Sequence, residues 1–270
     1  MSRNATLDHA RLLAAIGIVW FHSGAPGSGI GYAALPFFIM LTVFLALQAA
    51  QKTEVAPYVR TRVKRLLLPF LVWSLIYGGL KVVDATSAGR PISSEFAWWM
   101  LGTGPALHLW FLPFAAVVTI ALHPAGKMVR SLPPALCGMI AAAVATLGFL
   151  WLSQPPMPPR PFGQWLYGLP AVAAGLLLAL SQGLGRPNSL RSLLVPSGVL
   201  ICVSALAAFA GWAGAEQLLF ASLCLVLCIA LPTAPTPLSH AAAGYSLFVY
   251  LVHPIALSVI DRTTSLPRDG

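Results

Sequence analysis

The sequence predicts an all-α fold, a polytopic transmembrane helix bundle of about nine spans forming a single domain over residues 1–270. Three observations carry this reading. Composition is the first: 58% of the residues are hydrophobic and only 9% are charged, where soluble domains carry about 25% charged residues. Mean hydropathy is +0.81. The second is segment length, because apolar stretches recur at the roughly 20 residues a helix needs to cross a bilayer. The third is the sorting of basic residues. Sixteen Lys and Arg against seven Asp and Glu give a net charge of +9, which in a soluble chain would point to nucleic acid. Here the cations gather on one side of the predicted spans, so positive-inside topology accounts for them and no nucleic-acid partner is expected.

Candidate spans run near 7–24, 30–50, 66–83, 106–123, 132–153, 164–182, 191–212, 215–232 and 241–260. The first has the apolar core of a signal peptide. Arg11 and His22 interrupt it, however, and no small-x-small cleavage site follows, so it reads as a spanning helix. With a cytoplasmic N-terminus, ten basic residues fall in inner segments, five of them within 51–65; Arg90, Arg160, Arg262 and Arg268 fall outside. Trp98, Trp99 and Trp110 then sit at the outer headgroup level that indoles prefer. Gly102–Pro105 breaks the chain before the fourth span, and the proline-rich stretch 155–161 reads as an extended outer loop. Cys137, Cys202, Cys224 and Cys228 all lie in apolar segments and read as small buried hydrophobes. Nine spans place the C-terminus outside.

Ionisable groups inside such spans are costly and are therefore site candidates. Arg11 and His22 are eleven residues apart in the first span; eleven steps of about 100° bring them within about 20° of the same face, about 16 Å apart along the axis. His22 either packs against a neighbouring helix or serves as a general base. Arg11 either snorkels to the inner headgroups, held by Asp8 three residues earlier, or offers a guanidinium to an anionic ligand. Arg60, Arg62, Lys64 and Arg65 form a basic loop that anchors the chain to anionic lipid or docks a polyanionic cytoplasmic ligand. His108 and His253 fall at depths comparable to His22, so three histidines could converge on one cavity. No carboxylate is expected at that depth to complete a metal site. Haem ligation is disfavoured too: His9/His22 and His240/His253 are each thirteen residues apart, which turns the members of a pair to nearly opposite sides of their helix.

Four blocks of these residues resemble the acyltransferase 3 family of bacterial integral-membrane acyltransferases, which modify surface and secreted glycans. Asp8-x-x-Arg11 followed by ten residues and His22 is similar to the family's Arg-x10-His signature. The run Arg60-Thr61-Arg62-Val63-Lys64-Arg65 leading to Pro69 and Trp73 is similar to its basic loop entering the third helix. His108-Leu109-Trp110-Phe111-Leu112-Pro113 and the stretch from Tyr245-Ser246 to His253-Pro254 resemble two further blocks, in family order. Two departures stand out. Leu41-Thr42 follows Phe37-Phe38 where the family usually has Ser-Gly, and the chain ends about 17 residues after His253 where members commonly have a tenth span.

The resemblance implies an acyl-CoA co-substrate, acetyl-CoA first, on the cytoplasmic side, and a carbohydrate or glycolipid hydroxyl as acceptor outside or at the membrane. It implies a multi-pass protein of the bacterial cytoplasmic membrane, among membrane lipids; from the residues themselves no metal or haem is expected. Arg60, Arg62, Lys64 and Arg65 would meet the CoA phosphates and Arg11 the pantetheine or pyrophosphate end. His22 would act as general base or transient acyl carrier. His108 and His253 would orient the acceptor or polarise the thioester carbonyl, with Tyr245 and Ser246 in the same wall. The rival reading is a non-enzymatic flippase or exporter of a glycan or lipid, with helix breaks at Gly17, Pro36, Pro113 or Pro254. A third is a catalytically inactive accessory subunit lacking the last helix.

Overall fold

The structure, a computed structural model, describes residues 4–128, 143, 146, 148, 150, 159–183 and 190–264. Its described residues form helices and their connections, with no strand among them. Four helices are long and apolar enough to cross a membrane: Ser28–Ala50, Val55–Ser87, Phe162–Leu180 and Pro237–Asp261. Shorter apolar helices cover Leu107–Ala121, Pro196–Phe209 and Ala215–Ala230. Most of the span expected at 132–153 and most of the proline-rich loop lie outside the described residues. Contacts divide the chain into two compact units, one of residues 1–41 with 187–270 and one of 42–186.

In the first unit, α1 (Ala5–Ser23) packs along the helix Pro237–Thr264. The sequence dictates this pairing through two stripes. Buried positions Ala5, Asp8, Ala15 and Ile18 recur at helical spacing on α1, and Ser239, Ala242, Ser246, Tyr250 and His253 do so on its partner. The small residues in both let the backbones come close, which is how helices associate where lipid removes the hydrophobic drive. A six-residue 3-10 turn, Ser28–Ala33, folds back on α1. A Cβ on Gly31 would stand 2.3 Å from the Gly17 carbonyl oxygen, so this crossing requires glycine. The close approach in this unit is thus at Gly17 and Gly31. Leu41, where the family's Ser-Gly pair would begin, is a fully buried leucine in α2 (Ala34–Ala50).

The N-terminus of α1 is tied down by the end of another helix. Asn4 caps α1 by accepting from the Thr6 amide at 3.0 Å, while its Nδ2 donates to the Cys228 carbonyl at 2.9 Å. Thr6 Oγ1 donates to Leu231 O at 2.7 Å and the Ala5 amide to Thr233 O at 3.1 Å. Helix ends leave several backbone groups unsatisfied, and here the Cys228 carbonyl in the last turn of Ala215–Ala230, that of its capping residue Leu231 and that of Thr233 beyond it accept from the first residues of α1. Because residue 5 meets residue 233 while His22 meets His253, α1 and Pro237–Thr264 run parallel.

In the second unit the segment expected as a basic loop is helical. α3 (Val55–Arg62) passes through one π-helical turn, Val63–Leu67, into α4 (Leu68–Ser87). Pro69 supplies the cause: it has no N–H for the Arg65 carbonyl, its ring crowds that carbonyl, and the ladder widens, with the Leu68 amide donating to Val63 O. α5 (Met100–Thr103), a 3-10 turn Leu107–Trp110, α6 (Phe111–Ala121) and α7 (His123–Met128) follow. The remaining described helices are α8 (Phe162–Gly183) in this unit, and α9 (Leu190–Phe209), α10 (Ala215–Ala230) and α11 (Pro237–Thr264) in the first.

Candidate active site

Two of the three candidate histidines meet in the first unit. The rings of His22 and His253 stack with centroids 5.1 Å apart and planes 27° apart. His22 occupies the last turn of α1, just before Gly24 ends the helix with φ +67°; it is exposed, with Phe21 beside it. His253 is buried on α11, and Tyr250, one turn earlier, packs against Phe38. An open imidazole backed by a buried one suits proton transfer to a group that arrives from outside the fold.

His253 is held by a hydrogen bond that the sequence builds in. Pro254 lies inside α11 and has no N–H to give the Tyr250 carbonyl four residues back. His253 Nδ1 fills that position and donates to Tyr250 O at 2.6 Å.

Arg11 lies three residues after Asp8 on α1, with Nη1 3.8 Å from the buried Asp8 carboxylate. The local ion pair expected from their spacing is therefore present. Ser246 sits on the buried stripe of α11, its hydroxyl donating to Ala243 O at 3.0 Å, while Tyr245 is exposed.

The basic residues and His108 belong to the second unit. Arg60, Lys64 and Arg65 are exposed, whereas Arg62 folds its guanidinium over the Tyr58 ring at 4.7 Å. Tyr58 is buried and donates to Thr119 O at 3.0 Å, and its ring packs on His123 at 4.7 Å. His123, expected only as a cheap helix-end histidine, is buried and bonds Thr53 O through Nε2 at 3.0 Å. Tyr58 and His123 are the residues that sequence reading missed here. Their signal was weak, since a tyrosine one turn before Arg62 becomes informative only once 55–62 is known to be helical. His108, in the 3-10 turn before α6, meets the buried Tyr77 edge to face at 5.1 Å. Near it, Gly104 adopts φ +73°, and a Cβ there would stand 3.1 Å from the Ser74 hydroxyl. Among the described residues no group of three or more His, Cys, Asp or Glu is placed to hold a metal.

A family model described as an acyltransferase domain, that of acyltransferase 3, matches residues 4–267. The chain belongs to the acyltransferase 3 family. No curated protein and no solved structure matches it. The match runs through all four blocks, so His22, the basic helix, His108 and His253 of this membrane acyltransferase all lie within family sequence. Acyl transfer needs a group to take the acceptor's proton and a site for an acyl donor. The acyltransferase carries an imidazole pair in one unit and a cationic helix in the other.

Proposed function

We propose that this acyltransferase moves an acyl group, acetyl in the first instance, from cytoplasmic acyl-CoA to a hydroxyl of a surface or exported carbohydrate, in the bacterial cytoplasmic membrane with its N-terminus inside. The stacked His22–His253 pair at the open end of α1 carries this reading. His22 takes the proton of the acceptor hydroxyl as its oxygen attacks the thioester carbonyl. The C–S bond then breaks, and the departing CoA sulfur receives the proton back from the imidazolium. Arg60, Arg62, Lys64 and Arg65 bind the CoA phosphates by charge-assisted hydrogen bonds, and Arg11, steadied by Asp8, receives the pantetheine arm. About 16 Å between Arg11 and His22 along α1 resembles the reach of that arm. Lipid, donor and carbohydrate acceptor are the partners this chemistry requires.

Transport is less well supported. Pro36 and Pro113 fall in first helical turns, where proline is tolerated, and α11 continues through Pro254, so these positions do not supply broken spans. Purified protein given acetyl-CoA labelled in the acetyl group tests the reading: turnover of the thioester in the presence of native membranes is expected. A carrier would move glycan without consuming donor. Label trapped on His22 when acceptor is withheld would replace the general-base step by an acyl-imidazole intermediate.

A further inference from the structure

We infer that Pro254 is a positioning residue that fixes the tautomer of His253, so that His253 receives a hydrogen bond from an acceptor hydroxyl and does not polarise the thioester carbonyl. In an uninterrupted helix the residue-254 amide would occupy the Tyr250 carbonyl. Proline cannot donate, and a buried carbonyl left unsatisfied is costly. His253 Nδ1 sits 2.6 Å from that oxygen. A carbonyl oxygen only accepts, so Nδ1 carries the hydrogen, and in the neutral ring Nε2 then carries the lone pair. That nitrogen is buried, on a ring stacked against His22. A lone pair can hold a hydroxyl; it cannot donate to a carbonyl. Of the two tasks open to His253, orienting the acceptor is therefore the one this tautomer performs. His22 takes the proton of the reacting hydroxyl, so the hydroxyl held by His253 is a second one on the same acceptor. An acceptor with neighbouring hydroxyls, as in a sugar ring, meets that requirement.

This inference rests on the proposed acyl transfer, and the experiment separates the two. Pro254→Ala restores an amide that competes for Tyr250 O and releases Nδ1. Transfer from labelled acetyl-CoA to native membranes is expected to fall about tenfold or more, while the thermal unfolding temperature in detergent stays equal or rises, because the helix gains a bond. A proline without this role would give the same stability result with transfer intact, so transfer within twofold of wild type overturns the inference. His253→Ala is the companion. If it retains full transfer, the wider reading of the histidine pair fails; if it is inactive while Pro254→Ala is active, only the tautomer lock fails. A measurement that does not depend on the variant's folding is 15N NMR of the wild-type protein labelled at histidine. His253 is expected protonated at Nδ1, and the Nε2–H tautomer would overturn the inference.

Discussion

Tyr58 illustrates how much one ring settles. Its face lies under the Arg62 guanidinium and its hydroxyl donates to Thr119 O, so the two halves of the side chain can be separated by substitution. Tyr58→Leu removes the cation–π contact and is expected to raise KM for acetyl-CoA about fivefold, the equivalent of roughly 1 kcal/mol, with kcat little changed. Tyr58→Phe keeps the ring and removes the hydroxyl; it is expected to lower stability by about 1 kcal/mol and to leave KM near wild type. Steady-state kinetics with thermal unfolding of both variants checks the pair. At this scale the sequence singled out Arg11, His22 and His253 as ionisable residues in apolar runs, and the structure sets Arg11 beside Asp8 and stacks His22 on His253. The sequence was not legible where the informative residue was an ordinary one. Pro254 follows His253 in plain view, yet its meaning depends on α11 passing through it unbroken, which a proline by itself argues against.

Helices α3 and α4 show the same limit one level up. A cluster of four cations in six residues is as compatible with a loop as with a helix, because propensity does not separate solvated Arg and Lys in the two states. Tertiary contact decides: Tyr58 and Phe70 are buried, and the helix runs from Val55 through the π turn to Ser87. The turn sets the direction of the basic residues relative to α4. Pro69→Ala supplies the missing N–H, is expected to regularise the turn and shift the cations around the axis by the one extra residue, about 100°. KM for acetyl-CoA should rise several-fold with the helix content unchanged, as read by kinetics and circular dichroism. In the first unit the equivalent test is Gly31→Ala. With the new Cβ 2.3 Å from the Gly17 oxygen, the 3-10 turn must move off α1, at about 1–3 kcal/mol, and a drop in thermal stability is the expected result. That glycine's need was invisible in sequence because its partner is backbone fourteen residues away.

For the whole molecule, composition made the membrane class plain, while the number of spans was less accessible. Four described helices meet the length and apolarity of a span, and α1 is not among them, since Asp8, His9, Arg11 and His22 dilute its apolar content. The residues that make α1 a candidate site are the ones that weaken it as a hydrophobic segment. Its parallel course with α11 constrains topology all the same: if both cross, α11 must be an odd-numbered span counted from α1, as the nine-span reading has it. On a cysteine-free background, Lys64→Cys is expected to react with an impermeant maleimide only after the membrane is opened, and Trp98→Cys in intact cells. The most direct test of acyl transfer through α1 compares wild type with His22→Ala, matched by circular dichroism and thermal unfolding, in transfer of labelled acetyl from acetyl-CoA to native membrane glycan. Loss of about 100-fold or more in the folded variant is predicted; transfer at the wild-type rate would contradict the account.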